Sequence, residues 1–255
     1  MNVTTAPRIG IIGSGRVANA IGFLFHSKGI MIKSVFSRNF DSGQKLAKRL
    51  QCDFVDSIEQ SKADILILCV NDDEIFNVLQ SISIDQKVLY TAGSISLESL
   101  GRNKCGVFYP LQTFTAHSHK MDNEFPMLIE ANDPDLYADM IELCKQSDLH
   151  FEHCSSDRRK QYHLVAVLLN NFVNHMVHIS QSEAGKRGLD WAILQPLLEK
   201  TCDSMIKYKA IDNQTGPARR GDQSILNMHE DMLDEPNKEL YKLLSNSIIN
   251  TYHEL

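Results

Sequence analysis

Nowhere in the 255 residues does an apolar run approach the roughly 18–20 residues needed to span a bilayer. Residues 1–7 are short and polar and lead straight into an apolar segment, so no secretion signal is expected there. Positive charge is not in excess: 26 Lys and Arg face 32 Asp and Glu, for a net charge of -6. A nucleic acid or an anionic membrane surface therefore gains no electrostatic attraction. The six cysteines (Cys52, Cys69, Cys105, Cys144, Cys154 and Cys202) contain no C-x-x-C pair. Neither a metal site nor a disulfide framework is expected of them, and Cys69, inside the apolar run 65–70, reads as core packing. Repeats and low-complexity tracts are missing too. What remains is 43% hydrophobic and 23% charged, an ordinary globular composition with length enough for two domains. A cytoplasmic protein without membrane or nucleic-acid partners is expected.

The first 154 residues alternate short β-rich runs with amphipathic segments, the pattern of a parallel sheet with crossover helices. Strands are expected over 8–12, 31–37, 53–55, 64–70, 87–91, 106–109, 127–131 and 150–153. Pro110 is expected to interrupt the sheet. Helices are expected over 16–28, over 42–50 with Asp41 as cap, and over 134–146. Asp72 should cap another, carrying Ile75, Phe76 and Leu79. After Ser155 the texture changes to helical periods alone, over about 157–186, 190–209, 223–233 and 236–252. The expected fold is α/β: a Rossmann domain over 1–154, then an all-α domain over 155–255 for substrate and dimerisation.

The clearest chemical signal is Gly13-Ser14-Gly15-Arg16-Val17-Ala18, a G-x-G-x-x-A pattern between an expected strand and an expected helix. Gly13 permits the tight turn, Gly15 lets backbone approach a pyrophosphate, and Ala18 lets the helix pack close. The diphosphate would sit on the helix N-terminus, among free N–H groups. Ser14, Gly15, Arg16 and Val17 are thereby candidate cofactor contacts. The same turn occurs in other α/β proteins, methyltransferases that use S-adenosylmethionine among them. The end of the second strand reads Ser37-Arg38-Asn39, with no carboxylate for a ribose 2′-OH. Ser37 and Arg38 suit a 2′-phosphate, which favours NADP; otherwise Arg38 is a solvated surface arginine.

With these pieces in view, the chain resembles short bacterial proteins in which a Rossmann-like domain precedes a helical domain of unknown function. They are described as NADP oxidoreductases, some of them deazaflavin-dependent. More distantly it is similar to pyrroline-5-carboxylate reductase, ketopantoate reductase and the 6-phosphogluconate dehydrogenase clan. The resemblance rests on IGIIGSGRVANAIG (9–22), ILCVNDDEI (67–75), YPLQTF (109–114), YHLVAVLLNNF (162–172) and TGPARRGD (215–222). It implies a cofactor-bound dimer with a helical domain like that of 6-phosphogluconate dehydrogenase. Members often carry His where Tyr109 stands. The hydroxyacid dehydrogenases and ketopantoate reductase place a helix Lys four residues before an Asn. Here those positions, counted from Asn170 and Asn171, hold Ala166 and Val167, so that mechanism does not transfer.

A ligand in an open α/β sheet lies outside the carboxyl ends of the strands. Val70 and Asn71, then Ala92 and Gly93, would flank the ribose and nicotinamide, and the segment from Tyr109 would face the reacting carbon. In the helix after Ser155, a 100° wheel aligns His163, Asn170, Asn174 and Gln181 within about 20° of one line. Apolar residues fill most of the remaining circumference, so the helix should be buried and its polar stripe should line a cleft; the alternative is a stripe that faces solvent or meets a second subunit. His163 is the candidate proton donor, Asn170 would orient the substrate, and Arg220 would anchor a carboxylate or phosphate. Asp222 would fix Arg220 or cap the next helix; a solvated charged loop is the alternative. His117 and His119 with Asp122 lack a third ligand, and no metal is expected. Two functions fit: an NADP-dependent oxidoreductase moving hydride between NADPH and a small carbonyl or imine, or a non-catalytic NADP-binding redox sensor.

Overall fold

A computed structural model of the chain describes residues 7–115 and 125–253. His117, His119 and Asp122 lie outside the described residues. Eight strands form one sheet, in the order β3-β2-β1-β4-β5-β6-β7-β8. They are β1 (Ile9–Ile12), β2 (Ile32–Phe36), β3 (Asp53–Phe54), β4 (Ile65–Leu68), β5 (Lys87–Tyr90), β6 (Cys105–Pro110), β7 (Met127–Ala131) and β8 (Phe151–His153). Their side chains alternate between two cores, as a period of two requires. Ile9, Ile11, Ile65 and Ile67 join Ile21, Phe25 and Leu46 on one face. Ile12, Leu66, Leu68, Val88 and Tyr90 join Ile75 and Leu79 on the other. Burial on both faces is why β4 reads as an unbroken apolar run.

The sheet is not wholly parallel. β6 and β7 pair antiparallel, with Phe108 opposite Ile129, and β8 runs parallel to β7. An antiparallel neighbour needs no crossover helix, so the spacing of sequence elements does not reveal it. Nor does Pro110 interrupt the sheet. It is the last residue of β6, paired with Met127, and a strand end tolerates its missing N–H.

The first helices are α1 (Arg16–Ser27), α2 (Phe40–Leu50), α3 (Ile75–Gln80) and α4 (Pro134–Gln146). Two expected caps are corrected. α2 begins earlier than expected, and Asn39, not Asp41, accepts from Ser42 N–H at 3.0 Å. Asp41 instead occupies the first turn, where the helix dipole favours a carboxylate. Asp72 caps nothing: it opens a single 3₁₀ turn, Asp72–Glu74, and accepts a hydrogen bond from Ser94 Oγ. Ile75 and Leu79 of α3 are buried, whereas Phe76 is exposed.

The chain forms two compact units, Met1–Asn171 and Phe172–Leu255. The expected domains meet at 154/155, where the sheet runs out. The division by contacts falls later because α5 (Ser156–Ala166) is fastened to the sheet. Arg159, with 0% of its surface exposed, donates to Glu130 of β7 at 2.7 Å and to the Ile95 carbonyl. Ser156 Oγ donates to the same carboxylate at 2.7 Å and accepts from Leu97 N–H at 2.9 Å.

Val167–Phe172 is a π-helical turn. Bonding to the fifth residue adds to the helical repeat, so a wheel of 100° per residue does not run through this segment. The alignment of His163 and Asn170 with Asn174 and Gln181 fails on that ground. Within the single chain the segment is not buried: Leu164, Val165, Leu168 and Leu169 are exposed, Leu169 by 73%.

The second unit holds α6 (Val173–Lys186), α7 (Gln195–Lys207), α8 (Ala210–Asn213), α9 (Pro217–Arg220), α10 (Gln223–Asp231) and α11 (Asn237–His253). Within it α9 and α10 pack on α11. Glu183 accepts from Lys186 at 2.9 Å, from Arg187, and from Asn237 at 2.8 Å, joining α6 to the start of α11. Those donors, Lys186 foremost, hold its carboxyl down at about 2. Among this unit's described hydrophobic residues only Ala184, Ala218 and Leu226 are buried, while Ile206 is 84% exposed.

Candidate functional site

The turn between β1 and α1 opens a cleft of about 880 Å³ at the carboxyl ends of β1, β2 and β4. Its two glycines answer to different constraints. Gly13 has φ +117°, and a Cβ there would lie 2.3 Å from the Cys69 carbonyl oxygen, so the protein itself demands glycine. Gly15 has φ −72°, and a Cβ there would meet nothing of the protein within 4 Å. Neither backbone nor packing requires glycine at 15; open space next to a helix start is what a pyrophosphate needs. No side chain caps α1, which leaves its first N–H groups free. Asn19 donates to the Ser14 and Gly15 carbonyls at 3.0 and 2.9 Å and pins the turn. The motif pattern leaves position 19 open, so its role shows only in the structure.

At the β2 side the cleft is lined by Ser14, Ser37, Arg38 and Asn39, and on the β4 side by Val70, Asn71 and Glu74. Ser14 Oγ lies 2.8 Å from Ser37 Oγ and 2.6 Å from Ser42 Oγ, a hydroxyl cluster that fixes the rim. Arg38 reaches across to Glu74: Nη1 donates to Oε2 at 2.9 Å. The residues that follow the second strand, Ser37-Arg38-Asn39, hold no carboxylate, and the fold supplies one. Glu74 arrives from the turn after β4, next but one in the sheet. Of the other expected contacts, Arg16 is exposed and Val17 packs half-buried against the first core, and neither is among the residues lining the cleft. The Ala92 side chain is buried in the second core.

A second group of residues gathers farther along the same sheet edge, at the ends of β5 and β6. Tyr109 Oη lies 3.0 Å from His163 Nδ1, with the rings edge to face at 6.0 Å. A Cβ on Gly93 would fall 2.9 Å from His163 Nδ1 and 3.0 Å from Tyr109 Cζ. The close approach expected at Gly93 is thus made by these two rings. Burial, with the Asp72 carboxylate adding to it, pushes the Tyr109 phenol above its ordinary value. Which of the two donates follows the imidazole tautomer: with the phenol as donor to Nδ1, the ring's own proton sits on Nε2. Asn170, in the π turn, donates to Thr113 Oγ1. His163 and Asn170 therefore both engage the segment that starts at Tyr109. Nothing local marks Tyr109 as a partner of His163, since only folding brings the two together across 54 positions.

Arg220 belongs to the second unit, at the end of α9. Its guanidinium is 64% exposed, 4.0 Å from Asp222. Asp222 occupies the N-cap position of α10 but makes no side-chain cap bond; it accepts from Ser224 Oγ at 3.2 Å. Among the described residues no cluster of His, Cys, Asp and Glu is arranged to hold a metal. The described cysteines are all free thiols, and burial raises Cys69 to about 12. No described helix is long and apolar enough to cross a membrane.

Residues 8–91 match the family model of NADP oxidoreductase, coenzyme F420-dependent, and residues 125–248 match a domain of unknown function, DUF2520. The chain is similar to a candidate NADP oxidoreductase of Bacteroides fragilis, at 27% identity and a TM-score of 0.87, over 96% of this chain and 99% of that one. It is similar to 1-pyrroline-5-carboxylate reductase of Streptococcus pyogenes at 17% identity and a TM-score of 0.63, over 99% and 100% of the chains. A reductive aminase of Aspergillus terreus, in complex with NADPH and ethyl-5-oxohexanoate, matches at 14% identity and a TM-score of 0.67, over 98% and 95%. At such identities the last two show the fold alone. No curated protein matches the chain. The match to the NADP-oxidoreductase model over 8–91, followed by the match to DUF2520 over 125–248, is the order that the resemblance implied.

Proposed function

We propose that the chain is an NADP-dependent oxidoreductase that moves hydride between NADPH and a small carbonyl or imine. The observation that carries this is the placement of two complementary groups on one sheet edge of one compact unit. The glycine turn and Arg38 follow β1 and β2; Gly93, Tyr109 and His163 gather at the ends of β5 and β6. NADPH would supply the hydride. Gly13, Ser14 and Gly15 would hold the pyrophosphate, Ser37 and Arg38 the 2′-phosphate, and Val70, Asn71 and the backbone of Ala92 and Gly93 the nicotinamide side. His163, as the imidazolium, would deliver a proton to the substrate and take its replacement from solvent, with Tyr109 holding the ring at Nδ1, while Asn170 orients the substrate. Arg220, exposed and only loosely held by Asp222, would anchor an anionic substrate group. The name of the B. fragilis relative and the NADPH in the aminase complex support the choice of cofactor.

The test needs no substrate. NADPH should bind more tightly than NADH, and Arg38→Ala should remove most of the difference. One charge-assisted hydrogen bond is worth about 1.5–3 kcal/mol, roughly 10- to 150-fold. With 70% of the Arg38 side chain exposed, the lower end is expected, because solvent screens the pair. Equal affinities in the unmodified protein, read by fluorescence titration, contradict the assignment.

The rival, a non-catalytic NADP-binding sensor, draws support from Ala166 and Val167, which stand where related dehydrogenases carry a lysine. Both alternatives include a homodimer. Leu164, Leu168 and Leu169 of the first unit, and Phe172, Ile193 and Ile206 of the second, stay exposed in the single chain, more bare apolar side chains than a soluble monomer usually keeps. Sedimentation at micromolar concentration should give about twice 28.9 kDa. A monomer at that concentration would leave the helical surface to some other partner.

A further inference from the structure

We propose that Glu74 is a cofactor-discriminating residue whose carboxylate holds Arg38 in the ligand-free protein and must be displaced by the 2′-phosphate of NADP. The proposal rests on the functional reading above and deepens it. Arg38 Nη1 donates to Glu74 Oε2 at 2.9 Å, and both residues line the cleft. That nitrogen is the one cationic donor on offer: among the described lining residues Arg38 is the only Lys or Arg, facing the carboxylates of Asp56, Glu59 and Glu74. A 2′-phosphate must take the guanidinium from a carboxylate already bonded to it, and must then sit beside that released negative charge. Glu74 has room to yield. Its side chain is 31% exposed, and no other side-chain hydrogen bond or ion pair holds it among the described residues.

For NAD the balance reverses. A ribose 2′-OH does not compete for Arg38, and a carboxylate at the cleft wall is the group that accepts from such a hydroxyl. Glu74 therefore works against NADP and for NAD, and the preference that Arg38 creates is smaller than one arginine alone would give. The side chain is placed for this by the 3₁₀ turn Asp72–Glu74, which ends where α3 begins.

The experiment is a double-mutant cycle with NADPH and NADH as probes, titrated by fluorescence against the unmodified chain, Glu74→Gln, Arg38→Ala and the double variant. Glu74→Gln should raise the NADPH-to-NADH affinity ratio about three- to tenfold, the range for removing one partly exposed opposing charge. In the Arg38→Ala background the same change should move the ratio by a smaller factor, because the repulsion between carboxylate and phosphate remains while the competition for the guanidinium is gone. A ratio unchanged or lowered by Glu74→Gln overturns the proposal, as does an increase that persists in full without Arg38. Melting temperatures matched within a few degrees confirm that the variants are folded, and Glu74→Asp, which keeps the charge but shortens the reach, should behave between the two. Failure of the unmodified chain to bind either nucleotide overturns the oxidoreductase reading and this assignment together. Binding with an unmoved ratio overturns this assignment alone.

Discussion

Replacing His163 by glutamine is expected to lower turnover by about 10²–10⁴ while NADPH affinity stays within about twofold, the usual contribution of one positioned acid. Glutamine keeps hydrogen-bonding capacity near Tyr109, whose hydroxyl lies 3.0 Å from His163 Nδ1, but cannot give up a proton in the neutral range. The cofactor cleft is lined by residues after β1, β2 and β4 and does not include His163, which is why binding and turnover should separate. A screen of small keto acids and cyclic imines with NADPH supplies the assay. Gly93→Ala provides an independent check. Its Cβ would fall 2.9 Å from the imidazole, so the ring must shift, and turnover should fall with His163 still present. Turnover in His163→Gln within about threefold of the unmodified protein would remove the acid role and leave the sensor alternative standing.

Which parts of this were legible in the sequence depends on whether the determinant is local. The β1 turn was legible because Gly13 obeys a local backbone rule, φ +117°. The two-faced strands were legible from the apolar run of β4, and α4 because Asp133 and Pro134 mark its start within three residues. The partners at the site were not. Glu74 meets Arg38 across 36 positions, Tyr109 meets His163 across 54, and Thr113 meets Asn170 across 57. Each pairing follows from strand order, which a single sequence does not print. The π turn at Val167–Phe172 escaped for another reason. A helical wheel assumes the repeat it is meant to test, so an added residue changes the face without changing the apolar pattern.

Glu130→Ala should be the most destabilising single change outside the glycine turn, at about 3–5 kcal/mol. It strands a guanidinium with 0% exposure, whose Nε already has no partner. It also frees Ser156 Oγ, which bridges the carboxylate to Leu97 N–H. At about 2–4 °C per kcal/mol for a protein of this size, the melting temperature should drop by roughly 6–20 °C. Charge, rather than lost packing, is the cause to be isolated. Glu130→Leu combined with Arg159→Met removes both partners and should recover most of the loss, since an apolar pair of similar volume carries no desolvation cost. Function should not recover with it. Arg159 also donates to the Ile95 carbonyl, which Tyr90 Oη holds at 3.1 Å, and so ties the 93–97 loop to the helix turn preceding His163. With that tie gone, Gly93 and His163 lose their common support, and turnover should stay depressed in the refolded double variant while NADPH affinity holds. A melting temperature within about 2 °C of the unmodified protein in Glu130→Ala would show that the buried pair contributes little. Full turnover in the double variant would show instead that it serves the fold and not the site.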